Sequence, residues 1–164
     1  MKKGIVCAFV VTGACGLAYQ VLWLRMFGVI FGNSAYAVSV VLAAYMAGLA
    51  LGSWAFGRVI DRGGEPLRWY AALEAGIALY AVASPALLDV LQDLFLVAGA
   101  EGMGLRVSAA RFLAASALLL IPTAMMGGSL PALCRKFAGQ RDADAAVGTL
   151  YAANTWGAVL GTLL

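Results

Sequence analysis

An all-α integral membrane protein of about five transmembrane helices is the fold class predicted, and three observations predict it. The chain is 63% hydrophobic, with a mean hydropathy of +0.92. Only 12% of its residues are charged, against roughly 25% in an ordinary soluble domain. Those charges gather between long runs that contain none. A hydrocarbon core about 30 Å thick takes about 20 apolar residues per helix at about 1.5 Å of rise each. Five spans would therefore use most of the 164 residues, giving a single helical domain over residues 1–164 and no room for a folded soluble one.

The elements follow in order. After Met1, Lys2 and Lys3, residues 4–24 carry no charge, and apolar character resumes after Arg25, so the first span is placed at about residues 4–31. The lysines and "TGAC" ending at Cys15 loosely resemble a lipoprotein leader. Thr12 is a poor residue three positions before that cysteine and the apolar run is too long, so the segment is read as a retained helix. The second span, at about residues 34–57, is uncharged throughout and is the clearest. The third, at about residues 67–88, holds Glu74 inside it and Pro85 near its end.

Residues 89–107 are acidic, glycine-containing and partly amphipathic ("LLDVLQDLFLV"), which predicts a loop with a short interfacial helix. The fourth span runs over about residues 108–133, with Arg111 near its start and Pro122 and Pro131 expected to kink or end it. The fifth occupies about residues 147–164 and is still apolar where the sequence stops, which is the expectation for a truncated span.

Basic residues set the direction of insertion, because cytoplasmic loops carry the excess of Lys and Arg. With the N-terminus cytoplasmic, that side holds Lys2, Lys3, Arg58, Arg62, Arg68, Arg135, Lys136 and Arg141. The other side holds Arg25, Arg106 and Arg111, so an inside N-terminus is expected.

Composition also excludes several chemistries. There is no histidine, which removes the commonest general base and metal ligand. Cys7, Cys15 and Cys134 form no C-x-x-C pair and sit in apolar runs, so they read as small hydrophobes and no metal site is expected. A formal charge of +3, scattered along the chain, gives no reason to expect nucleic acid as a partner. "MMGGSLP" at residues 125–131 follows no strand and is no phosphate cradle.

The densest charge lies in "GRVIDRGGEPLR", residues 57–68. Gly57, Asp61, Arg62 and Gly64 match G-x-x-x-D-[RK]-x-G, which resembles the loop between the second and third helices of major facilitator transporters. An aspartate there can accept hydrogen bonds from a neighbouring helix's first turn and pair with an arginine. Gly63 and Gly64 permit backbone angles that other residues resist. Glu65 and Pro66 interrupt the basic run that usually follows, so a solvated turn that only enforces orientation stays open beside the helix-tying one.

Small residues recur four apart at Ala44, Gly48 and Gly52 on the second span and at Ala153, Gly157 and Gly161 on the fifth. Lipid tails give apolar side chains no reason to associate, so close backbone contact through small residues is how such helices pack. Both sets are read as helix-packing seams.

An ionisable residue at bilayer depth costs on the order of 2.5 to 3.5 kcal/mol on insertion scales and is a functional candidate by default. Arg25 and Arg111 fall near span ends, where their stems can snorkel to the interface. Glu74 lies six residues past Arg68, roughly 9 Å up an ascending helix, and Asn154 lies at the matching depth past Gly148 on the fifth span. The two are expected to face a common interior site with Tyr151 nearby, and Gln20 is a further intramembrane polar candidate. Helix-to-helix hydrogen bonding and a solute site both remain open for this set.

Taken together, "YQVLWLRMFGVIFGNSAYAVSVVLAAYMAGLALGSWAFGRVIDR", "IPTAMMGGSLPAL" and "LYAANTWGAVLGTLL" resemble the N-terminal membrane region of the fused spermidine synthase-like proteins of bacteria. Tyr19, Gln20, Trp23, Arg25, Gly48, Gly52, Gly57, Asp61, Pro122, Gly127, Pro131, Tyr151, Asn154, Thr155 and Gly157 carry the resemblance. It implies a major-facilitator-like helical region in the inner membrane, followed by a cytosolic aminopropyltransferase domain. That domain would move an aminopropyl group from decarboxylated S-adenosylmethionine to putrescine, using a doubly wound nucleotide fold. The sequence here has neither a Gly-rich strand-turn-helix nor a diamine-holding acidic set, so no catalytic residue carries over.

Two functional readings follow: a membrane module that anchors or serves an aminopropyltransferase supplied by a missing C-terminal domain or separate subunit, or part of a small-solute transporter. An inert fragment of a longer gene is the third.

Overall fold

The computed structural model describes residues 3–31, 35–97, 105–140 and 142–163. Five helices make up the described residues: α1 (Lys3–Phe31), α2 (Ala35–Arg62), α3 (Pro66–Val97), α4 (Leu105–Phe137) and α5 (Ala143–Gly161). Three of them contain stretches long and apolar enough to cross a membrane, at Lys3–Met26, Pro66–Leu96 and Phe112–Phe137. In hydrocarbon, backbone N–H and C=O groups find no water, and a helix satisfies them within one segment. The helix α2 carries no charged residue from Ala35 to Gly57. In α5, Asp144 and Asn154 sit within only 19 residues.

Three expected boundaries are corrected. Residues 89–97, expected to be a loop with a separate short helix, continue α3 without a break past Pro85. Pro85 removes one backbone donor, yet Leu88 beyond it is buried in the core beside Trp23 and Tyr45, which holds the chain in helical register. Pro122 and Pro131 end nothing either, since α4 runs through both to Phe137. The expected turn over residues 57–68 shrinks to residues 63–65, because α2 continues to Arg62 and α3 starts at Pro66. Gly63 (φ +149°) and Gly64 (φ +101°) make that reversal with backbone angles that L side chains rarely adopt.

The two most extensive packings skip sequence neighbours, α2 on α4 and α1 on α5, while α3 packs on its neighbour α4. Both principal seams are built of glycine. A Cβ added at Gly48 would strike the Thr123 side chain, and one at Gly52 the Ala124 backbone. On the facing helix, Gly127 presses on the Leu49 backbone in the same way. Between α1 and α5, Gly157 abuts the Val10 backbone, Gly161 the Ala14 backbone, and Gly13 the Asn154 backbone. This is the close approach that small residues allow.

Two buried clusters lie toward opposite ends of the bundle. One joins Trp23, Tyr45, Leu88, Ala115 and Leu119 from the first four helices, and the other joins Phe9, Leu133, Phe137 and Leu150. Outward-facing Leu79, Val82, Leu113 and Trp156 are each at least 66% exposed, a surface suited to lipid.

Candidate functional site

Polar side chains collect between the two apolar clusters. On α1, Thr12 lies between Phe9 and Trp23; on α3, Glu74 follows Tyr70; on α4, Ser129 lies between Leu119 and Leu133. The Ser129 hydroxyl donates to Glu74 Oε1 at 2.9 Å, and Thr12 lies against the same carboxylate. Thr12 Oγ1 and Tyr70 Oη are 2.7 Å apart in a hydrogen bond that joins α1 to α3. Tyr45 on α2 donates to the Gly16 carbonyl at 3.3 Å and reaches the Met126 sulfur at 3.4 Å. The Thr12–Tyr70 and Tyr45–Gly16 contacts thus bridge helices that share few close backbone approaches, and Ser129–Glu74 adds to the α3–α4 packing.

Two adjoining cavities open on this cluster. The smaller, about 90 Å³, is walled by Thr12, Cys15, Tyr19, Glu74, Ile77 and Met126. The larger, about 230 Å³, has Thr12, Gln20, Tyr45, Ser129 and Asn154 among its polar walls, with Phe9, Met46 and Leu49 among its apolar ones. Thr12, Gly16 and Met126 line both. Met46 is 59% exposed, so the larger cavity is open at its side rather than sealed. Together they form one cleft with a carboxylate at one end and an amide at the other.

The structure brings Glu74, Asn154 and Gln20 to this cleft. Tyr151 is not brought there: it is 64% exposed and points away from the bundle, one helical turn from Asn154 on another face of α5. Arg25 is exposed on α1 and lines neither cavity. The side chain of Arg111 lies outside the described residues; its backbone stands 18 positions before Ser129 on α4, roughly 27 Å away along the axis. Among the described residues no basic side chain forms an ion pair with Glu74, the two pairs present being Arg68–Glu65 at 2.9 Å and Arg135–Asp61 at 3.4 Å. No group of three or more His, Cys, Asp or Glu side chains able to hold a metal occurs among the described residues.

Of the turn motif, Asp61 and Arg62 stand in the last turn of α2, and Gly57 approaches Pro131 on α4. Asp61 pairs with Arg135 across the α2–α4 seam, an exposed contact whose partner lies on α4 rather than α3. Beside it, the Arg58 guanidinium stacks 4.1 Å over the Trp54 ring.

Sequence reasoning missed Thr12, Ser129, Tyr45, Tyr19 and Tyr70. Each is a lone hydroxyl in an apolar run, a signal visible in the sequence but outweighed there by the charged and amide side chains.

Comparison with known proteins adds one relative. The chain is 32% identical over 155 residues to polyamine aminopropyltransferase 2 of Streptomyces coelicolor (strain ATCC BAA-471 / A3(2) / M145). The match takes in 93% of this chain. It spans only 26% of the relative's length. No family model matches the chain, and no solved structure does.

Proposed function

We propose that this chain is a membrane-embedded module of a spermidine synthase-like protein, anchoring or serving an aminopropyltransferase whose catalytic part lies outside these 164 residues. The observation that carries the reading is the match to polyamine aminopropyltransferase 2 over nearly the whole chain. A helical bundle with three membrane-length apolar helices supports it. On this reading all five helices cross the inner membrane in a major-facilitator-like arrangement, with the N-terminus and the α2–α3 and α4–α5 turns cytoplasmic.

On this reading decarboxylated S-adenosylmethionine is a co-substrate of the catalytic part, held on a strand-turn-helix of a doubly wound sheet. It belongs to the partner part, which receives the chain either on the same polypeptide or as a separate subunit.

The test is to join the chain to an active aminopropyltransferase domain and compare spermidine formation and membrane retention with the domain alone. Membrane-bound activity that depends on this chain supports the reading; a domain that stays soluble and unaltered beside it ends the proposal.

The cleft supports a second reading, part of a small-solute transporter, since intramembrane carboxylates mark solute and ion pathways. Saturable uptake into proteoliposomes, abolished by Glu74→Gln, is its signature.

A further inference from the structure

We infer that the cleft between the five helices is a binding site for a small organic cation, a primary ammonium group on a short apolar body, with Glu74 as its counter-ion. This deepens the reading of the cleft given above and rests on it.

Charge comes first. Glu74 is the ninth residue of α3, within a stretch long and apolar enough for a membrane, and no described basic side chain pairs with it. Carboxylates at such depth pair with a cation or line a solute path. The nearest base along the helix, Arg68, is engaged by Glu65 at the α3 start. Arg111 is too far along α4 to reach. Among the described residues the counter-ion position is therefore open to a ligand.

The other walls choose among cations. An ammonium donates three hydrogen bonds and accepts none. The oxygens of Thr12, Ser129 and Glu74 meet at the junction of the two cavities, and Asn154 offers Oδ1 from α5. The Tyr19 ring, stacked on Trp23 with centroids 5.7 Å apart, flanks the carboxylate side and offers a π face to a cation. Beyond the junction, Phe9, Leu17, Met46, Leu49 and Leu130 line the larger cavity. A bare metal ion gains nothing from that wall, whereas an alkyl body is desolvated by it. The volume, about 230 Å³, is below the roughly 300 to 1,000 Å³ of drug-sized sites and suits a few-carbon amine.

Gly16 supplies a decisive variant. It lines both cavities, and a Cβ there would meet nothing within 4 Å, so a leucine has room to start into the space the two cavities share. Calorimetric titration of the detergent-purified full chain with n-butylammonium chloride is the experiment, with 1-butanol and sodium chloride titrated in parallel. The expected result is saturable binding of n-butylammonium, weakened at least tenfold by Glu74→Gln and abolished by Gly16→Leu, which keeps the carboxylate. Equal binding of 1-butanol, unchanged binding by Glu74→Gln, or saturation by sodium with none by n-butylammonium would overturn it. If Glu74→Gln fails to fold, unchanged binding by Gly16→Leu overturns it alone. Uptake into proteoliposomes is measured separately on the unmodified chain, so failure of the ligand assignment and failure of the transporter reading are told apart.

Discussion

Ser129 on α4 gives its hydroxyl proton to Glu74 on α3 at 2.9 Å, and these two residues join the helix carrying the carboxylate to the helix at the centre of the bundle. An amide oxygen accepts the same bond, so Glu74→Gln is expected to fold with little loss of stability. Ser129→Ala removes the donor and should cost about 0.6 kcal/mol, with a ceiling near 1.7, the range for hydrogen bonds between membrane helices. Unfolding of both variants in mixed micelles reads the difference, and a Glu74→Gln loss larger than that of Ser129→Ala would contradict it.

The glycine seams carry a sharper expectation. Gly52→Val drives a side chain into the Ala124 backbone, which cannot rotate away, while Gly148→Ala meets nothing within 4 Å. Overpacking of this kind costs about 1–3 kcal/mol. Thermal aggregation in detergent should therefore fall several degrees earlier for Gly52→Val and stay unchanged for Gly148→Ala.

Asp61 and Arg135 form an exposed pair, their side chains 71% and 49% accessible. Exposed pairs contribute about 0–1 kcal/mol and are screened by salt. Asp61→Asn is expected to lower stability by less than about 1 kcal/mol at low salt and by nothing measurable at high salt. A larger loss that persists in salt would mean the pair holds the helix ends in a geometry the bundle needs.

The same pair predicts topology, because it puts the C-terminal ends of α2 and α4 on one side. Glu65 and Gln140 are both exposed just beyond those ends. Cysteines placed at these positions, in a chain whose own cysteines are replaced, should label with an impermeant maleimide only after the inner membrane is opened. Labelling of either in intact spheroplasts would reverse the orientation proposed above.

Much of the helical layout was legible because uncharged runs are direct statements about solvent. The helices at residues 35–62 and 105–137 extend the expected spans by a few residues at their ends. The ends were less legible, since a proline reads as a stop in water but is tolerated where neighbouring helices hold the register, as Leu88 does beyond Pro85. Glu74, Asn154 and Gln20 were found from side-chain chemistry and depth, yet Tyr151 was placed inward only by its nearness in sequence to Asn154. Three residues along a helix stop about 60° short of a full turn, and here that offset leaves the tyrosine 64% exposed while Asn154 lines the cleft. Thr12 and Ser129 were hidden because which lone hydroxyls meet depends on helix pairing, and Thr12 on α1 meets Tyr70 on α3, a pairing that adjacency does not suggest.

The non-adjacent pairing of α1 with α5 has a consequence in time. The α1 face formed by Val10, Gly13 and Ala14 finds its partner only when Asn154, Gly157 and Gly161 have been made. At about 5–20 residues per second of synthesis, the interval is on the order of ten seconds. During it, α2, α3 and α4 can already have assembled while the first helix made waits in the membrane with its seam uncovered. The nascent protein should therefore close last at its own beginning, and any insertion factor that shields small-residue faces would meet α1 for longer than any other helix.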